Sequence, residues 1–421
     1  MRYTYLLTTW LYLALPVVSA CAVGWVARRQ RRTHPVHMLI RACTIGAFLG
    51  GTVAFLYMSL ANAKIPFPQL ALACYLGMSA LCVVYGINWL LWHGVSRLFR
   101  INAKTGRGGG PLVQIAAGVV QAGLLVVVGL PYLGSLLVLY RPKAPTSGDP
   151  QSLVAAGAYA TIAFEATDGT RLEGWWIPAT RNARTDGRGT NKFGRDTVLL
   201  CHGFGADKSR DLFLAADLVA NGYNVFALDF RAHGHSGGQF TGMGGIESRD
   251  VLGAIRFLRQ NHGAECNRIL GLGEGLGAVA LINAAADPGP EGQAISAIAA
   301  YNPYDSLDGV LRTVAMQHTI RPGQWAFMNA VLPVASAQLG TDLLTVSPAA
   351  SLKSLWPRPI LVLGDPKSRD PLYGRSFDLF ESAYQPKYAY WREDLDPSAI
   401  LRDPKAALTV RIFFDGEQSI L

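Results

Sequence analysis

Over its first 140 residues the chain carries no aspartate and no glutamate, and this absence constrains its fold more than any motif. The same stretch holds 11 lysines and arginines, so the net charge of +9 divides into +11 here and −2 from the 27 basic and 29 acidic residues that follow. Four apolar runs fill the stretch: Tyr5–Ala27, Met38–Ala61, Gln69–Trp92 and Leu112–Leu137. Each has the ~20 residues that a helix needs to cross a hydrocarbon core. The expected domain division is therefore a transmembrane domain of four helices over 1–140, a linker over 141–154, and a second domain over 155–421.

The loops orient the spans, because lysine and arginine in short loops favour the cytoplasmic side. Arg28, Arg29, Arg31 and Arg32 follow the first run, and Arg97, Arg100, Lys104 and Arg107 follow the third; Arg2, Lys64, Arg141 and Lys143 fall on the other side. This predicts a multi-pass membrane protein with its second domain on the periplasmic or extracellular side. A lipoprotein reading of Val18–Cys21, "VSAC", would invert the order and place the arginine-rich loops outside. Trp10, Trp25, Trp89 and Trp92 are expected to act as interfacial anchors or in helix packing. With no carboxylate in any run and Arg41 near an end, a proton pathway is disfavoured. An anchor remains, or a surface for protein subunits of a membrane complex, with the lipid bilayer as the first partner.

Positive charge beside apolar runs is not the phosphate-facing surface of a nucleic-acid binder, so no nucleic acid is expected. The cysteines, Cys21, Cys43, Cys74, Cys82, Cys201 and Cys266, form neither a disulfide framework nor a zinc-ligand spacing.

Beyond the linker, strand-like and helical runs alternate, which implies an α/β domain with a mostly parallel sheet flanked by helices. "ATIAFEA" and "LEGWWIPA" flank the turn "TDGT" as a hairpin, while "TVLLCHGFG", "YNVFALDF", "RILGLG", "AISAIAAY", "RPILVLGD" and "ALTVRIFF" read as further strands. "DLFLAADLVANG" reads as a helix ended by Asn221 and Gly222, and a helix from near Glu247 places Val251, Ile255 and Leu258 on one face. A small cap region is expected around 302–356.

Three motifs occur in order: "CHGFGADKSRD", "LDFRAHGHSGG" and "GEGLGAVAL". With them the region 155–421 resembles the alpha/beta-hydrolase family, in particular its membrane-anchored serine-hydrolase branch. The resemblance implies a strained strand-to-helix elbow that presents a nucleophile between small residues two positions away on each side. Here Gly273 and Gly277 flank Gly275, which has no side chain. A register shifted by one would make Glu274 the attacker, but between Leu272 and Leu276. The glycines do not fit a dinucleotide fingerprint, since its third glycine would fall at Leu276. No cofactor is expected.

The family's base follows the last strand, yet the last histidine of this chain is His318, which would reach the site only through a cap folded over it. For the family's acid, Lys367 stands at the expected spacing, with Asp365 early and Asp370 late; Asp370 is the preferred remnant. Backbone donors remain by resemblance: the amide of Leu276 and one near Phe204 would form an oxyanion-type pocket for a small carbonyl or carboxylate ligand. His202 and His233 are expected to shape loops, His235 to share the tight turn of His233, and no metal site is expected. The expected function is that of a catalytically inactive, membrane-anchored binding module or accessory subunit. The alternative is a hydrolase of esters, lipids or peptides with a non-standard nucleophile such as Glu274 or Ser236.

Overall fold

The computed structural model describes residues 130–139, 148–152, 159–179, 196–264, 266–318, 324–325, 327–368, 375–393 and 402–416. The chain divides into two compact units, Met1–Leu125 and Val126–Leu421, and every described residue belongs to the second. The predicted spans lie outside the described residues except for 130–137, and among the described residues no helix is long and apolar enough to cross a membrane.

The second unit is built on an eight-stranded sheet of order β1-β2-β4-β3-β5-β6-β7-β8. The strands are β1 Ala160–Glu165, β2 Arg171–Ile177, β3 Thr197–Cys201, β4 Asn224–Asp229, β5 Ile269–Glu274, β6 Ile295–Tyr301, β7 Ile360–Gly364 and β8 Lys387–Trp391. β1 and β2 form the predicted hairpin, with Gly169 of its turn at φ +80°, and β2 pairs antiparallel with β4. All later pairings are parallel. The interior strands β3, β5 and β7 are buried at every residue, as continuous apolar runs covered on both faces must be. The edge strand β1 keeps most of its residues at least partly exposed.

The principal helices are α1 Leu130–Leu139, α2 Leu212–Ala220, α3 Ser248–Asn261, α4 Leu276–Ala285, α5 Leu307–His318, α6 Leu332–Leu339, α7 Ser376–Ser382 and α8 Pro404–Asp415. One core gathers Val251, Ile255 and Leu258 of α3 with the buried length of α4; the other gathers Leu214 and Leu218 of α2 with Val410, Phe413 and Phe414 of α8. The β6–β7 connection carries α5, a π-helical turn Phe327–Val331, α6 and short turns.

One strand expectation fails. "ALTVRIFF" is not a strand but most of α8, and the last strand is the "KYAYW" of β8. The β-branched and aromatic content suggests a strand, but the buried positions Ala406, Ala407, Val410, Phe413 and Phe414 recur with helical period. Asp403 caps the helix by accepting from the Lys405 amide, Pro404 opens it, and Gly416 closes it in the left-handed region. Among the described residues β8 is the last strand, and the sequence between it and α8, 392–403, contains no histidine.

Candidate functional site

β3 and β5 are neighbours with Cys201 opposite Gly273, so the loop after β3 and the turn after β5 emerge at one edge of the sheet. On either side of β3 the chain winds in opposite directions, and ligands of open α/β sheets bind at such a switch point. Gly275 forms the turn from β5 into α4 with φ +50° and ψ −109°, a conformation that L side chains rarely adopt. Its amide donates to the Tyr301 carbonyl at 2.8 Å, and its carbonyl accepts from the Val279 amide at 3.0 Å, opening the helix.

The three glycines of the elbow have different constraints. A Cβ on Gly273 would lie 2.5 Å from the Ala278 nitrogen, and one on Gly277 would lie 2.1 Å from the Cys201 carbonyl oxygen. A Cβ on Gly275 would meet nothing nearer than the Asn302 carbonyl oxygen at 4.0 Å. The elbow packs as tightly as a nucleophile turn requires, and its apex faces open space.

Leu276 begins α4, so its amide, like those of Gly277 and Ala278, has no acceptor within the helix. Across the strand pair, the loop carrying Phe204 is fastened by two histidines. The His202 Nε2 accepts from the Phe230 amide at 3.2 Å while its Nδ1 donates to the Gly203 carbonyl at 2.8 Å. The His233 Nε2 accepts from the Gly205 amide at 3.2 Å, and its Nδ1 donates to the Arg231 carbonyl at 2.9 Å. Burial, and then the nearby His233, pull His202 down to about 4, so it holds the loop as a neutral ring. The Phe204 ring is 36% exposed beside His233.

Glu274 lies under this loop, 6% exposed, with the Arg210 guanidinium at 3.4 Å from Oε2 and 3.5 Å from Oε1. Together with Asp211, Phe213, Leu214, Tyr301 and Arg402 it lines a small pocket. Burial raises the Glu274 carboxyl, and Arg210 opposes the rise. Asp211 is pushed up to about 7, by burial first and then by Glu274, with Arg210 and Arg402 pulling the other way. Arg210, Asp211, Tyr301 and Arg402 leave no signal in the sequence, because they come from three separate segments and share no spacing.

Ser236 is 1% exposed; its hydroxyl donates to the Asp229 carbonyl at 2.5 Å and accepts from the Glu173 amide at 2.9 Å, so it staples β2 to the turn after β4. His235 lies in a second cluster. Ligand atoms of Glu173, Asp229 and His235 all lie within 4.8 Å of one another, a grouping able to hold a cation. The Lys208 ammonium sits among them, 2.9 Å from Glu173, 2.5 Å from Asp229 and 3.3 Å from the His235 Nδ1, over the Trp175 ring. Spacing along the chain offers His233 and His235 no third ligand; the partners of His235 come from β2 and β4 instead.

Of the expected acids, Asp365 accepts from the Lys367 amide at 2.8 Å in the turn after β7, and Lys367 pairs at 2.7 Å with Glu393 on the surface. Asp370 lies outside the described residues, and His318 ends α5. The structure thus brings together Gly273, Glu274, Gly275, Leu276, Gly277, His202, Phe204 and His233 at one sheet edge.

The profile of the serine aminopeptidase S33 hydrolases matches residues 194–322. An uncharacterized protein of Mycobacterium tuberculosis, Rv2307c, is 28% identical over 197 residues, which cover 47% of this chain and 62% of that one. The uncharacterized protein YfhR of Escherichia coli is 28% identical over 123 residues, covering 29% of this chain and 40% of its own. The chain thus spans less than two thirds of the length of these relatives. Among solved structures, the Pyrococcus furiosus esterase Pf2001 superposes with a TM-score of 0.50 at 19% identity, covering 67% of this chain and 98% of the esterase. That likeness concerns the fold.

Proposed function

For a chain that carries an alpha/beta-hydrolase domain, we propose a role in binding rather than cleavage: a membrane-anchored module whose cleft above Gly275 holds a small carbonyl or carboxylate ligand, or docks a subunit of a membrane complex. The observation that carries this reading is the apex of the elbow. The turn keeps the positive φ and the close packing of a nucleophile-bearing loop, yet the slot for the side chain is filled by a hydrogen atom.

A missing base compounds the loss, since the sequence between β8 and α8, 392–403, contains no histidine. In a triad, loss of the serine or of the histidine alone typically costs about a million-fold in turnover. Backbone donors of the Leu276 kind are independent of side chains, so a site able to bind a carbonyl survives that loss. The anchoring is supported by the four apolar runs and by the absence of acidic residues among them.

The test is covalent labelling. A fluorophosphonate probe is expected to leave the purified full-length protein unmodified, and stoichiometric labelling would overturn the reading. One observation favours a second reading, hydrolysis by an activated water: Asp211 and Glu274 share a pocket beside the elbow, and Asp211 is pushed up to about 7, within the working range of a general base. Ester turnover by purified protein that disappears in Asp211→Asn would support this alternative.

A further inference from the structure

We propose that the face formed by α1 and the α5–α6 connection lies against the lipid bilayer at headgroup depth. The inference rests on the membrane-anchored reading above and names the surface that the anchoring brings to the lipid.

Residues 108–140 contain no charged side chain. This run ends in α1, and α1 is packed directly onto the π-helical turn and α6. Gly134 allows the closest approach: a Cβ there would lie 2.9 Å from a Val331 methyl of the π-helical turn. The Ser135 hydroxyl lies 3.3 Å from the Gln338 side-chain oxygen of α6. Leu139 is fully buried, and its carbonyl accepts from the Thr241 amide at 3.1 Å. In sequence the uncharged run leads directly into α1. If the uncharged run before 130 lies in a bilayer, the α5–α6 segment packed on α1 is brought to its surface.

α1 and the α5–α6 segment expose the side chains that such a position favours. Tyr132 of α1 is 51% exposed, Met316 near the end of α5 is 61% exposed, and Trp325 just before the π-helical turn is 68% exposed. Tyrosine and tryptophan concentrate at membrane–water interfaces, where the ring meets acyl chain and the polar tip meets water. The other exposed large apolar side chains among the described residues lie away from α1 and the α5–α6 segment: Phe204 after β3, Phe213 on α2, Trp356 ahead of β7 at the opposite end of the strands from the elbow, Phe377 on α7, Tyr384 ahead of β8 and Leu408 on α8. No uncharged run enters the unit at those places.

Trp325 and Trp356 are almost equally exposed, at 68% and 67%, and so make a matched pair for the experiment. The full chain is reconstituted into phosphatidylcholine vesicles whose acyl chains are brominated at shallow positions, and tryptophan quenching is read. If Trp10, Trp25, Trp89 and Trp92 are the other indoles at the interface, Trp325→Phe is expected to remove about a fifth of the quenchable emission, and Trp356→Phe only unquenched emission. Quenching in the unaltered protein that is indifferent to Trp325→Phe would overturn the inference and leave the anchoring intact. No quenching in any variant would overturn both. A Trp325 shielded from bromolipid and from aqueous acrylamide alike would mean that protein, such as a second copy of the chain, covers this face, which also overturns the inference.

Discussion

The Cβ that Gly277 lacks would lie 2.1 Å from the carbonyl oxygen of Cys201, so the first turn of α4 rests on the end of β3 with no room for a methyl group. Gly275, two residues earlier, faces open space. These neighbours should respond differently to the same substitution. Gly277→Ala is expected to cost about 3 kcal/mol or more, because backbone must move. Gly275→Ala should cost about 1–2 kcal/mol, the strain of a left-handed residue. Denaturant unfolding of both variants checks the order, and equal losses would show that the elbow is not packed as described.

A thiol placed at the apex should be reactive. Gly275→Cys puts sulfur at the N-terminus of α4, where the helix dipole favours the thiolate. Alkylation by iodoacetamide near pH 6 is expected to be faster than in the unaltered protein, whose Cys201 is buried with its thiol pushed up by burial. A rate equal to the background would mean that the cleft is closed.

Gly275→Ser tests the missing base. The hydroxyl fits the open slot, but the sequence between β8 and α8 offers no histidine to accept its proton. Ester turnover is expected to stay about a million-fold below that of an ordinary serine hydrolase. Turnover within a hundred-fold of such an enzyme would reveal a base that the sequence does not disclose.

The Lys208 ammonium is buried against Asp229 and Glu173. Lys208→Met leaves those carboxylates without their cation and is expected to destabilise the domain by about 3–5 kcal/mol. Lys208→Ala opens the same place to a divalent ion held by Glu173, Asp229 and His235. Zinc should therefore raise the melting temperature of Lys208→Ala and leave that of the unaltered protein unchanged.

Asp211 gives stability a pH dependence of definite sign. Its pKa is pushed up from 3.8 to about 7 on folding, so between these values the folded state holds a proton that the unfolded state has released. Its contribution is complete below about pH 4 and is lost as pH rises towards 7. Asp211→Asn cannot titrate, and its melting temperature should fall less steeply over that window. An unchanged slope would place the titration in another group, of which Asp250, also pushed up to about 7 by burial, is the candidate.

The order of strands and helices could be read from the sequence wherever burial leaves a periodic trace. Val251, Ile255 and Leu258 declare a helix face, and the unbroken apolar runs of β3, β5 and β7 declare interior strands. The glycine-lined turn from β5 into α4 was legible too, because it is a local device whose glycines lie within five residues. The α8 segment was misread because its residue types point to strand while its period and caps point to helix, and the period prevails once Phe413 and Phe414 are buried.

What only the tertiary structure decided is the set of groups that meet from distant segments. Glu173, Lys208, Asp229 and His235 converge because β2 pairs antiparallel with β4 while the loop after β3 folds across both. Glu274 meets Arg210, Asp211 and Arg402 because parallel strands bring their carboxyl ends to one edge. Charge and burial act through space over a few ångströms, and separation along the chain carries no information about that distance. A turn or a helix face is written into consecutive residues, whereas an electrostatic cluster exists only after the chain has folded.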